Sequence, residues 1–254
     1  MNKFNGRKMK TQIKTVFVAL LLTTLLSNVL VAQGLTHTTK TYEKSSGDCE
    51  GVPCLELKLS YPEFKGSNTV LVSNLQKEVN DFILASMEGE PYKSISQMEQ
   101  ALLEMRKEDE TAAGYGLERN LTVLFATDTL MVFDMNGYEY FGGAHPNSFV
   151  IYKNYNLISN KEVTVLDYVI KGKMKQFRKL VEKKLRAAYK IKANQSLSDE
   201  LGWFENKFVL PANMAFTANG IRCIYNQYEV APYAAGTFEF EIPKKDLVGI
   251  VKSW

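Results

Sequence analysis

One stretch of the chain concentrates residue types that could recognise or transform a ligand: Tyr138-Glu139-Tyr140-Phe141-Gly142-Gly143-Ala144-His145-Pro146-Asn147. Two adjacent glycines open backbone angles closed to other residues, and Pro146 fixes the exit from the turn. Aromatic residues precede the glycines, and Phe149, Ile151 and Tyr152 follow. The pattern predicts a kinked loop between two strands, with one imidazole at its tip. A second stretch runs Tyr225-Asn226-Gln227-Tyr228-Glu229-Val230-Ala231-Pro232-Tyr233-Ala234-Ala235-Gly236. Tyrosine buries area while keeping a hydroxyl free. Tyr228 and Tyr233 therefore suit either a recognition surface or a corner tying the last hairpin to the Gly142–His145 turn. His145 and Glu229 could serve as acid and base, although one carboxylate–imidazole contact is common in structural networks.

Several chemistries are poorly supplied. The other histidine, His37, lies in a polar segment near the N-terminus, so a multi-histidine zinc site cannot be built. No Gly-rich phosphate loop, Gly-x-Ser-x-Gly elbow or His-Glu-x-x-His helix occurs. No metal and no cofactor is expected. Cys49 and Cys54, with Gly51 and Pro53 between them, read as a short disulfide loop in an oxidising compartment. Closing so small a ring stabilises by about 2 kcal/mol on the chain-entropy estimate. A redox-active pair is the sharper alternative, but the spacing is not Cys-x-x-Cys. Cys223 alternates with Ile221 and Tyr225, as a buried thiol on a strand would. A Cys223–His145 dyad would require that thiol in an exposed, electropositive pocket.

Residues 1–32 read as a secretory signal peptide: Lys3, Arg7, Lys8, Lys10 and Lys14, then an apolar run from Val16 to Leu26, then small residues to Ala32. An uncleaved anchor is the competing reading, marginal in length for a span. The whole chain carries a net charge of +3, of which this leader supplies +5, leaving −2 on residues 33–254. The basic balance is thus a property of the leader, and a nucleic-acid partner loses its support. The chain is expected to be exported, periplasmic or at the cell surface, without a stable membrane span after cleavage.

The elements that must position these residues follow from periodicity. Residues 33–48 are polar and predict a flexible lead-in. Leu55, Leu57 and Leu59 alternate with polar residues as in a half-buried strand. Helical spacing follows from Asn68 to about Ser86, through Leu71, Leu75, Val79 and Phe82, and again from about Ser94, through Ile95, Met98, Leu102 and Met105. The second helix is acidic towards Glu104, Glu108, Asp109 and Glu110. Strands are expected at Leu121–Ala126, Leu130–Tyr140 and Phe149–Leu157. Asn136-Gly137 would ordinarily mark a hairpin turn, yet the alternation continues through it, and both possibilities stay open. Beyond a turn at Asn160 and Lys161, residues Val163–Val169 follow. Lys171–Lys192 then predicts a basic amphipathic helix with Met174, Phe177, Leu180, Val181, Leu185 and Ala188 on its apolar stripe. That stripe could lie on an anionic membrane; its regularity favours packing on a sheet, with the lysines solvated. Strands return at Met214–Phe216, Gly220–Tyr228 and Thr237–Ile242, and a short helix starts at Lys244. The expected fold class is α+β, a layered architecture with several antiparallel neighbours, as one domain or two small lobes.

Phe141-Gly142-Gly143-Ala144-His145-Pro146-Asn147 and Tyr225–Gly236, with Phe208-Val209-Leu210-Pro211 and Glu241-Ile242-Pro243, resemble the marks of the RsiV-like extracytoplasmic domain family. The resemblance covers about Cys49 to Lys252, specific in its C-terminal half and a match of element order alone before Leu121. It implies two layered α/β lobes with mainly antiparallel sheets, an N-terminal α/β lobe at 49–120 followed by an α+β lobe at 121–254. In anti-sigma factors of that family the domain is a receptor that binds lysozyme, and in a peptidoglycan-deacetylase branch a similar region precedes the catalytic domain. Only about 15 residues precede the apolar segment here, and no deacetylase domain follows Trp254. Signalling and deacetylation are therefore not expected.

The leading expectation is an exported, non-catalytic envelope protein that binds a protein or glycan ligand. Lysozyme and peptidoglycan fragments are the candidate partners. The expected binding residues are Gly142, Gly143, His145, Asn147, Tyr228 and Tyr233. The competing readings are a cell-wall glycan or peptide hydrolase using His145 and Glu229, and a structural or accessory protein without a ligand.

Overall fold

The computed structural model describes residues 34–87, 89–109 and 114–254. The expected signal peptide lies outside them. Strands β1 (Thr36–Ser46), β2 (Leu55–Lys65), β3 (Tyr115–Ala126), β4 (Leu130–Tyr140), β5 (Asn147–Asn156) and β6 (Lys161–Val163) form one six-stranded sheet in sequence order. All neighbours are antiparallel except β2 and β3. A parallel pair needs a crossover, and here it contains α1 (Thr69–Ile83) and α2 (Ile95–Glu108). Each helix starts where a short polar side chain takes a free backbone N–H. Asn68 accepts from Leu71 N, and Ser94 from Gln97 N.

Period-two alternation turns Leu55, Leu57 and Leu59 of β2 onto Leu71, Leu75 and Val79 of α1 and Met98 and Leu102 of α2, all buried in one cluster. Burying each such side chain is worth about 1.5–3 kcal/mol. The polar lead-in is not a flexible segment but β1, fully paired along β2. Its polar residues suit an edge strand, whose one face meets water. The buried Glu99 of α2 fastens it, accepting hydrogen bonds from Lys44 at 2.9 Å and Ser46 at 2.6 Å. His37 is likewise not solvated: it is 6% exposed and packs on Phe64 with ring centroids 5.6 Å apart.

The second core lies on the opposite face of the same sheet. In β4, Met131, Phe133 and Met135 enter the first core, and Leu130 and Val132 enter the second. There they meet α3 (Met174–Ala188) and the antiparallel sheet β7 (Asn213–Phe216), β8 (Gly220–Tyr225) and β9 (Phe238–Pro243). Phe177, Val181 and Leu185 at the centre of the expected stripe of α3 are fully buried in this core and Leu180 packs partly buried against it, whereas Met174 and Ala188 at its ends are exposed. The centre of the stripe packs inside the protein rather than facing a membrane. Two short stretches depart from expectation: residues Val165–Tyr168 are a 3-10 turn rather than a strand, and a small helix, α4 (Leu197–Leu201), follows α3. The fold is α+β with mainly antiparallel strands. It is not divided at residue 121, because β3 begins at Tyr115 and pairs on both sides within the large sheet.

Asn136-Gly137 is not a turn; β4 runs through it. A side chain at Gly137 would place its first carbon 2.2 Å from the Phe149 ring of β5, so glycine is what lets that ring lie across the sheet.

Candidate functional site

The β4–β5 hairpin closes through residues 141–146. Gly142 and Gly143 take φ of 86° and 87°, the region that glycine enters without strain. Phe141 packs edge-on against Tyr115 at 5.3 Å, and the Tyr140 hydroxyl donates to the Gly143 carbonyl at 3.2 Å. The first half of the loop is thereby held, and His145 stands exposed at its tip.

The two conspicuous stretches meet here. The His145 ring stacks on Tyr233 at 3.8 Å between centroids, with planes 21° apart. Tyr233 is anchored in turn, its hydroxyl donating to the Pro146 carbonyl at 3.0 Å. Tyr228 closes the group, 5.8 Å from the Tyr233 ring and 6.5 Å from the imidazole, with its hydroxyl 3.5 Å from His145 Nε2. It is 57% exposed and held at φ 67°. His145 Nδ1 lies 3.0 Å from its neighbour's carbonyl, that of Pro146.

Gly142, Gly143, His145, Tyr228 and Tyr233 thus form one constellation. Asn147 does not join the stacked rings; it opens β5 opposite Glu139, exposed. Glu229 does not pair with His145 either. Its carboxylate accepts from Asn226 Nδ2 at 3.1 Å, whereas the imidazole meets Pro146, Tyr228 and Tyr233. A Cys223–His145 dyad is absent: Cys223 is fully buried in β8, and burial pushes its thiol far above the ordinary range. Cys49 and Cys54 are disulfide-bonded, with Cα atoms 5.0 Å apart. Among the described residues no group of three His, Cys, Asp or Glu is arranged to hold a metal ion.

Sequence reasoning missed what holds the two stretches together. Asn226 acts as a surrogate peptide group, accepting from Val150 N and donating to Val150 O, both at 2.8 Å. Asn213 accepts from Tyr152 N at 2.7 Å and also donates to Val150 O. Asn154 donates to Met214 O at 2.8 Å and accepts from Phe216 N at 3.0 Å. Three carboxamides therefore stitch the edge of β5 to the small sheet. Reading any of them as more than a loop residue requires knowing which strand edge is open. Sequence reasoning also missed Phe204 and Val209, 60% and 48% exposed. With Trp203 and Glu229 they line a hollow of about 260 Å³. That hollow and the aromatic trio share the Tyr228–Val230 segment.

Comparison with known proteins divides the chain in two. Residues 167–245 match a family model described as a protein of unknown function, DUF3298. Residues 49–148 match one described as deacetylase PdaC. No curated protein matches the chain. Two crystal structures share the fold. A DUF3298 family protein from Pseudomonas aeruginosa PAO1 aligns with TM-score 0.65 at 21% identity, over 84% of this chain and 94% of its own. A DUF3298 family member from Bacteroides fragilis NCTC 9343 aligns with TM-score 0.71 at 20% identity, over 89% and 96%. Of the two marks of the expected resemblance, Phe141–Asn147 thus falls within the PdaC-described match and Tyr225–Gly236 within DUF3298, and neither match names the RsiV-like family.

Proposed function

We propose that the chain is an exported, non-catalytic envelope protein that binds a protein or glycan ligand at the His145–Tyr228–Tyr233 surface. Lysozyme and peptidoglycan fragments are the candidate ligands. The observation that carries this reading is Tyr228, a large exposed ring held at positive φ beside two stacked rings. An L-residue in that region costs about 1–2 kcal/mol, and such strain concentrates at functional sites. Exposed Phe204 and Val209 next to it supply apolar area of the kind that anchors a partner. The disulfide supports an oxidising compartment. Acidic residues on and just after α2, Glu104, Glu108 and Asp109, favour a cationic partner such as lysozyme.

The loop is tested by the double change His145→Ala with Asn147→Ala. Both side chains are exposed, so the fold should survive while binding weakens at least tenfold. An intact fold with every binding unchanged sinks the assignment. The deacetylase-described match motivates one control on purified peptidoglycan. Release of free amines or reducing ends, abolished by His145→Ala, would make the chain an enzyme instead.

A further inference from the structure

Away from the aromatic site, the second core ends in a margin of unusual composition. Backbone hydrogen bonds from Ile170 N to Ile250 O at 2.9 Å and from Lys252 N to Tyr168 O at 2.8 Å, with a bridge between Val169 and Val251, lay residues 168–170 alongside 250–252 and so join the segments 165–175 and 244–252. Six lysines on these segments are exposed: Lys171, Lys173, Lys175, Lys244, Lys245 and Lys252. The acids among them are engaged. Asp167 accepts from Thr164 N and Oγ1 at 2.7 and 2.8 Å, and Asp246 pairs with Lys184 at 2.6 Å. Three large apolar side chains are exposed on the same segments: Val248 at 80%, Met174 at 43% and Leu166 at 39%. Val248 sits at a turn beside Gly249, whose φ is 73°. Trp254 lies partly exposed beside them, with the Lys244 ammonium 4.4 Å from its ring centroid.

Lysines alone would be a solvated surface. Lysines around protruding apolar residues match a charged interface with an apolar layer behind it. We infer that this margin docks on the surface of a bilayer carrying anionic phospholipids, with Val248 entering the headgroup layer. The charge of the whole molecule orients it. Residues 171–254 carry fifteen Lys and Arg against eight Asp and Glu, whereas residues 34–170 carry eleven against twenty. An anionic surface attracts the first part and repels the second. This is not the α3 stripe lying flat on a membrane, since Phe177, Val181 and Leu185 at its centre are buried. It uses the start of α3 and the turn after β9.

The test uses residues 33–254, which contain every described element, so that the apolar leader cannot hold the protein on lipid. Co-sedimentation is measured with vesicles of neutral phosphatidylcholine, and with vesicles containing roughly one-third phosphatidylglycerol, at low and high salt. The expected result is association with the anionic vesicles alone, weakened by salt. K244Q/K245Q/K252Q should weaken it about 100-fold, and Val248→Asp about tenfold. The exposure of all four side chains makes these variants safe for the fold. A fluorophore on Val248→Cys should shift to the blue on anionic vesicles; Cys223 is buried and the other two cysteines are paired, so the label goes to one place. Equal association with neutral vesicles, no association, or an undiminished lysine variant would overturn the inference. So would capture by soluble polyphosphate without any blue shift on vesicles, which would mean a polyanion site and no membrane contact.

Discussion

Tyr228 sits at φ 67° with most of its ring in water, so its backbone is strained while its side chain repays little of that strain within the fold. Tyr228→Gly removes the strain, offset in part by the extra chain entropy of glycine. The expected change in stability is under about 1 kcal/mol, read from the denaturant midpoint; a loss above about 2 kcal/mol would show that the ring is a structural support. His37 makes the opposite case, a buried ring with a charge state at stake. Burial holds its pKa below the ordinary 6.5. On acidification the unfolded chain therefore takes up the proton first. The contribution to stability is complete above about pH 6.5 and is lost as pH falls through the lowered folded value. His37→Leu should flatten the fall in thermal midpoint below pH 6.5, and an unchanged pH profile would contradict it. The stacked trio was legible in the sequence because two glycines, a proline and clustered tyrosines mark it. His37 was misread because its neighbours are polar, as they are on any edge strand with one wet face.

Among the elements, the strands and helices with clean periodicity were legible, β4 to the residue and α1 and α2 through the spacing of their apolar residues. What escaped was the stitching between elements, since single side chains carry no period. Asn226 holds both the N–H and the carbonyl of Val150. Asn226→Ala should cost about 1–2 kcal/mol, chiefly by leaving the Val150 N–H without its partner, since the Val150 carbonyl still accepts from Asn213 Nδ2. It should also raise hydrogen exchange at the Val150 amide, and an amide still protected there would contradict the role. Arg119 was missed for the same reason. It is 5% exposed, donates to the Phe82, Ile83 and Ala85 carbonyls at the end of α1, and pairs with Glu139 at 3.0 Å. Arg119→Ala removes this clamp and leaves Glu139 unpaired, for an expected loss of about 3 kcal/mol in chemical denaturation; a loss under 1 kcal/mol would mean that water replaces the guanidinium.

At the scale of the molecule, the shared sheet decides how the chain holds together. The boundary at residue 121 came from the resemblance, which is specific only beyond that point; strand pairing is long-range and leaves no local mark to correct it. Residues 121–254 alone would expose Met131, Phe133, Met135 and Tyr155, all buried in the first core. That fragment should show no cooperative thermal transition, and a sharp melt would contradict the single shared sheet. The same architecture brings the β4–β5 loop against the segment after β8, so that His145 and Tyr228, about 80 positions apart, meet at the proposed ligand surface. The decisive measurement is a titration of residues 33–254, and of their Tyr228→Gly variant, with a c-type lysozyme and with peptidoglycan fragments at two salt concentrations, following heat and lysozyme activity together. Saturable binding of one of these ligands, at least tenfold weaker in the variant, is the predicted result. No binding of either at tens of micromolar, or binding that the variant leaves untouched, would contradict the assignment of this surface as the ligand site.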